Sequence, residues 1–219
     1  AIEADKLTRL TERIEQSFGV RPTVYRAGRY GVGPNSAALL EALGYVADAS
    51  VRAGFDYGEE GGPRFHLVEP RPFWTGPERR LLEIPLSTFY TGALRRHGGR
   101  LFHAASHVRR LPGLLARSRL LGRVPLTPEG TRLAEALEAV RIGLGEGQRV
   151  FSISYHSPSV VPGHTPYVRD AADLARFNAW WDGVLNLLAK SGVEPGTVDD
   201  VVAAARKTLA APTAEPLSA

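Results

Sequence analysis

The chain contains no cysteine and no methionine among its 219 residues. The first absence excludes disulfides, thiolate metal sites and cysteine nucleophiles, and it fits a reducing compartment. The second, with alanine at position 1, leads us to expect a processed, trimmed or partial chain whose targeting signal can have been lost. No run of roughly 18 apolar residues occurs, which excludes a spanning helix, and the front shows no signal-peptide pattern. Lysine is scarce: the formal charge of +4 is carried almost wholly by arginine. That balance suits an anionic partner or is plain compositional bias. A local absence is sharper. Residues 84–128 hold no Asp or Glu, but eight arginines from Arg95 to Arg123 and three histidines.

What is present is enough for one core. A length of 219 residues with 43% hydrophobic content predicts one domain over 1–209, an insertion over about 87–126 and a flexible tail over 210–219. Leu7, Leu10, Ile14 and Phe18 form one stripe of a helix over 5–18. Strands are expected at 23–26, 46–51, 81–86 and 150–156. Helices are expected at 36–43 behind Asn35, from Thr127-Pro128 through Leu144, over 170–190 with Leu174, Phe177, Trp181, Val184 and Leu188 inward, and from Thr197 through Leu209. Helix-then-strand steps predict an α/β fold. The acid-free stretch reads as a basic amphipathic helical excursion, packed on the domain or lying on a membrane surface.

Two places carry the chemistry. Phe151, Ile153 and Tyr155 alternate with Ser152, Ser154 and His156, so the strand presents a bulky face and a hydroxyl–imidazole face. Its end is where α/β folds collect reactive groups, and His156 there is a catalytic candidate or a structural cap. The second place is the loop 27–34, rich in glycine. It lacks the spacing of a nucleotide cradle and reads instead as a turn that lets backbone approach a ligand. Arg26 and Arg29 flank it, and Arg26, at the end of a strand taken as buried, requires a partner, a carboxylate above all. His103 and His107 stand four apart and can share a helix face, but bind a metal only with a third ligand. No acid is near them in sequence, so we assign no metal ligands. Phe55, Tyr57, Phe65, Phe73 and Trp74 lie in an irregular stretch, where they line a sugar groove or staple the loop.

Three segments together resemble one family. Tyr25-Arg26-Ala27-Gly28-Arg29-Tyr30-Gly31, Gly44 to Val51, and Phe151 to Pro158 with Pro162-Gly163-His164-Thr165-Pro166-Tyr167 resemble the NodB-type polysaccharide deacetylases, in particular a WalW-like bacterial branch. The resemblance implies a deformed (β/α) barrel, here incomplete at its N-terminus, that removes acyl groups from amino sugars with a divalent metal such as zinc. It implies that Arg26 orients a catalytic base and that His156 is general acid toward the leaving amine. Arg29 and Tyr30 would lie at the oxyanion, with Asp48, Trp74 and His164 at the substrate. The family's front motifs, an Asp-rich strand end and a His-x-x-x-His segment ahead of the arginine, are absent, so no metal is assured in this chain. The expected partner is therefore a carbohydrate, not a nucleic acid, with contact to a membrane or envelope surface open. The expected location is the bacterial cytoplasm or envelope. The alternative is a carbohydrate-binding protein without the metal.

Overall fold

The computed structural model describes residues 2–210; of the tail expected over 210–219, Ala210 ends the last helix and 211–219 lie outside the described residues. The architecture is mixed α/β, and the described strands do not close into a barrel. Helix α1 (Ile2–Phe18) leads to β1 (Val24–Tyr25), α2 (Ser36–Ala42) and β2 (Ala47–Asp48), followed by a long irregular region, β3 (Phe73–Thr75) and β4 (Leu81–Glu83). These four strands make one sheet of order β1-β2-β4-β3, parallel except for β3. Tyr25, Asp48 and Glu83 stand in register at the carboxyl ends of the parallel strands.

The two faces of this sheet are covered differently. Leu81 packs with Leu7, Leu40 and Tyr45 under α1 and α2. Leu82, its neighbour in the strand and so on the opposite face, packs with Ala47, Ile84 and Val202 of α7 (Val198–Ala210), and Trp74 lies against this cluster. Trp74 is thus a half-buried packing residue of β3. The stripe expected on α1 is only partly used: Leu7 is buried, whereas Leu10 and Phe18 are exposed.

The stretch expected as a helical insertion contains strands of the main core. β5 (Thr88–Thr91) and β6 (Gly122–Pro125) pair antiparallel. Phe89 and Val124 of this pair pack with Ala136, Val140, Trp180 and Val184 from α5 (Leu133–Gly145) and α6 (Ala171–Lys190). Only α3 (Gly98–Ser106) and α4 (Leu111–Arg117) stand between the strands as an excursion. On α6 the fully buried tryptophan is Trp180; Trp181, expected inward, lies at the margin. Thr127-Pro128 does not open α5. Its cap is Arg132, and the intervening residues form a turn that carries Glu129.

The expected strand over 150–156 is extended chain rather than a ladder strand. It is tied down through Ser87, whose N–H donates to the Ser152 carbonyl (3.0 Å) and whose hydroxyl accepts from the Ser152 N–H (2.9 Å). The Leu126 N–H donates to the Ser87 carbonyl (2.9 Å), and the Ser154 N–H to the Leu126 carbonyl (3.3 Å). Residues 126, 87 and 152–154 thereby prolong the strand layer past β4. No helix among the described residues is long and apolar enough to cross a membrane.

Candidate functional site

His156 ends the extended segment with its side chain 69% exposed. Its position is set by Glu129, whose side chain is only 5% exposed. Glu129 Oε2 lies 2.7 Å from His156 Nδ1, and Oε1 accepts from the His156 N–H (2.9 Å) and the Ser159 hydroxyl (2.5 Å). A buried carboxylate that receives three donors has a fixed geometry. It selects the tautomer with the proton on Nδ1, leaving Nε2 as the outward atom for proton transfer. Tyr167 stacks nearly parallel to the ring at 6.3 Å. Glu129 was not visible as a site residue, because a Thr-Pro-Glu sequence reads as a helix start. His164 lies in the exposed loop 161–164, and none of the hydrogen bonds or ion pairs among the described residues joins it to His156.

The second group sits at the carboxyl ends of β2 and β4. Asp48 and Glu83 are buried, at 4% and 3% exposure. Asp48 Oδ1 accepts from the Ser50 N–H (3.0 Å) and from the Ser50 hydroxyl, and that hydroxyl accepts from the Ala27 N–H (2.8 Å). Glu83 Oε1 accepts from the Val51 N–H (3.0 Å). Burial pushes both carboxyls up, and the Asp48 charge raises Glu83 further, so Glu83 is the member of the pair that holds a proton at neutral pH. Asp48 therefore does not reach a substrate; it anchors Ser50, and through it the start of the arginine loop.

Arg26, one residue before Ala27, is exposed at the end of β1, and it makes no ion pair among the described residues. The expected carboxylate partner is absent there because β1 is an edge strand, paired with β2 alone, and Val24 is exposed. A guanidinium in solvent needs no counter-charge. The loop that follows holds Arg29 and Tyr30 at φ 52° and 59°, left-handed conformations unusual for such residues. Tyr30 stacks on Tyr57 at 5.5 Å, and Phe55 lies between the guanidinium groups of Arg52 (3.8 Å) and Arg123 (3.7 Å). The aromatics of the irregular region thus staple it to the arginine loop and to β6.

A third group was not expected. Asp56 and His66, from the irregular region, meet His103 of α3. Asp56 Oδ2 is 3.2 Å from His66 Nδ1 and 3.4 Å from His103 Nδ1. The three donor atoms lie within 4.8 Å of one another, an arrangement that can hold a metal ion. Partial burial and the adjacent His66 push the His103 imidazole down, toward its neutral form, despite Asp56. The carboxylate beside His103 comes from far along the chain, and the second imidazole of the group is His66; the His107 ring stands 4.8 Å from that of His103, edge to face.

Comparison of the chain with protein-family models, curated proteins and solved structures gives no match.

Proposed function

We propose that this chain carries the arginine–histidine half of a hydrolase site that removes acyl groups from amino sugars of a polysaccharide or glycan, as in the NodB-type deacetylases it resembles. The observation that carries the reading is the buried Glu129 carboxylate behind an exposed imidazole. A general acid toward a leaving amine needs one ring nitrogen held and the other presented, and Glu129 supplies the hold. Arg26 adds an unpaired guanidinium at the free edge of β1, where a carboxylate on a further strand could pair with it. Asp48, Ser50 and Glu83 fix the backbone beneath that arginine.

Zinc, the metal implied by the resemblance, would be held in that family by an Asp and two His. Among the described residues no such trio includes or adjoins Arg26 or His156. An envelope or membrane contact would use the outer end of α3 and α4, where Val108 and Leu114 are exposed beside Arg109, Arg110 and Arg117.

The test is acetate release from N-acetylated sugar oligomers by the full-length product of the gene, with zinc or cobalt supplied. Release that falls about 100-fold in His156→Ala is expected, within the usual range for a general acid. No release, or release indifferent to that substitution, would refute the proposal.

A further inference from the structure

We infer that Asp56, His66 and His103 form a binding site for a divalent cation of the zinc type, which clamps α3 to the irregular region between β2 and β3. In a tetrahedral zinc site, metal–ligand distances of 2.0–2.1 Å place neighbouring donor atoms about 3.3 Å apart. The two contacts of Asp56 Oδ2, at 3.2 and 3.4 Å, have that length.

Neither contact is a hydrogen bond. The Nδ1 atom of His66 is buried and has no hydrogen-bond partner, although a carboxylate oxygen stands 3.2 Å away. Burying a polar nitrogen unpaired is unfavourable. A cation among the three donors would resolve it, because the lone pair of Nδ1 then has an acceptor. The site also has a support. The other oxygen of Asp56 accepts from the Gly58 N–H at 2.7 Å, which turns Oδ2 toward the imidazoles. A Cβ at Gly58 would fall 2.5 Å from Arg64 Nε and 2.9 Å from Asp56 Oδ1, so a larger residue there would crowd the supported carboxylate. Arg64, the nearest cation, stands 3.9 Å from the supported oxygen with its side chain 70% exposed, free to swing away.

Two imidazoles and one carboxylate are the donor set of zinc and its neighbours rather than of calcium or magnesium. Three protein ligands leave a position for water. His66 also lines a cleft of about 670 Å³ between residues 66–71 and 95–100, which gives an ion a path in. The location assigns the role. α3 meets the irregular region where Gly99 abuts the His66 carbonyl and where His103 meets His66 and Asp56. The His66 and His103 rings stack at 3.8 Å and 14°; an ion in the plane of both would splay them.

The experiment is cobalt and zinc titration of the metal-free whole chain. One equivalent of Co²⁺ is expected to give the visible absorption of a tetrahedral or five-coordinate nitrogen–oxygen site, displaced by one equivalent of Zn²⁺. Asp56→Asn, His66→Ala and His103→Ala should each weaken zinc by about tenfold or more, as even outer-shell changes do at such sites. Zinc should slow amide exchange in α3 and in residues 54–66 of the unmodified chain, a readout that does not depend on any variant folding. Absence of a cobalt spectrum, or zinc affinity unchanged by all three substitutions, would overturn the site. A loss in His107→Ala as large as in His66→Ala would overturn the three-ligand assignment. Exchange unaltered by bound zinc would overturn the clamp.

Discussion

Glu83→Gln is the substitution that most directly tests the buried carboxyl pair. Glu83 is raised from its usual 4.5 to about 9 by burial and by the Asp48 charge. A carboxyl raised on folding favours the folded state fully below the unfolded pKa, and that advantage is lost as pH rises toward the folded one. Between about pH 5 and 9 the slope from this one group is about 1.4 kcal/mol per pH unit. From pH 6 to 8 the parent should therefore lose about 3 kcal/mol, or about 6–12 °C in Tm for a chain of this size. Glutamine mimics the protonated form. Its oxygen can still accept from the Val51 N–H, and its amide does not titrate. The assay is thermal unfolding of both proteins at several pH values, and the quantity read is the difference between the two profiles, which cancels groups common to both. The Gln protein should gain on the parent steadily with pH. Parallel profiles, or a steeper fall for Gln, would show that Glu83 does not carry the proton.

Other consequences follow from the same geometry. Glu129→Gln removes the acceptor that fixes the imidazole tautomer. Acyl hydrolysis should fall at least tenfold while the fold is kept, as judged by unchanged circular dichroism; full activity would remove Glu129 from the site. Gly98→Ala puts a Cβ 2.1 Å from the Tyr90 ring, so unfolding by denaturant should show a loss of about 1–3 kcal/mol, whereas no loss would mean that α3 is not seated on β5. If α4 meets an anionic membrane, sedimentation with phosphatidylserine vesicles should be seen at low salt and vanish at high salt, and Arg109→Glu with Arg110→Glu should abolish it.

Much of the fold was legible because local patterning decided it. α2, α6 and α7 follow their periodic apolar residues; Asp170 caps α6 by accepting from the Asp173 N–H (2.8 Å) and Thr197 caps α7 by accepting from the Asp200 N–H (3.2 Å), whereas the Asn35 side chain expected to cap α2 makes no such bond. β5 and β6 escaped detection because they are short and embedded in an arginine-rich context that reads as amphipathic helix. The strands' apolar residues, Phe89 and Val124, face a core built from segments that come later in the chain. His156 could be singled out from its place at the end of an alternating segment, but its partner could not, since Glu129 reaches it through a turn disguised as a helix start. The Asp56–His66–His103 group had no signature at all. Its spacing reflects the docking of α3 on a loop, which only tertiary packing sets. Arg26 taught the opposite lesson: the apolar residues around it suggested a buried strand, while the strand's place at the sheet edge leaves it in solvent.

Ser87 is buried, and its N–H, carbonyl and hydroxyl are satisfied by residues 126 and 152. During synthesis none of these partners exists when Ser87 leaves the ribosome. Stranding them in a closed core would cost about 1–3 kcal/mol apiece. The nascent polypeptide must therefore keep this seam wet until the last third of the domain emerges. A protein cut between residues 126 and 150 should yield two pieces that are soluble only together.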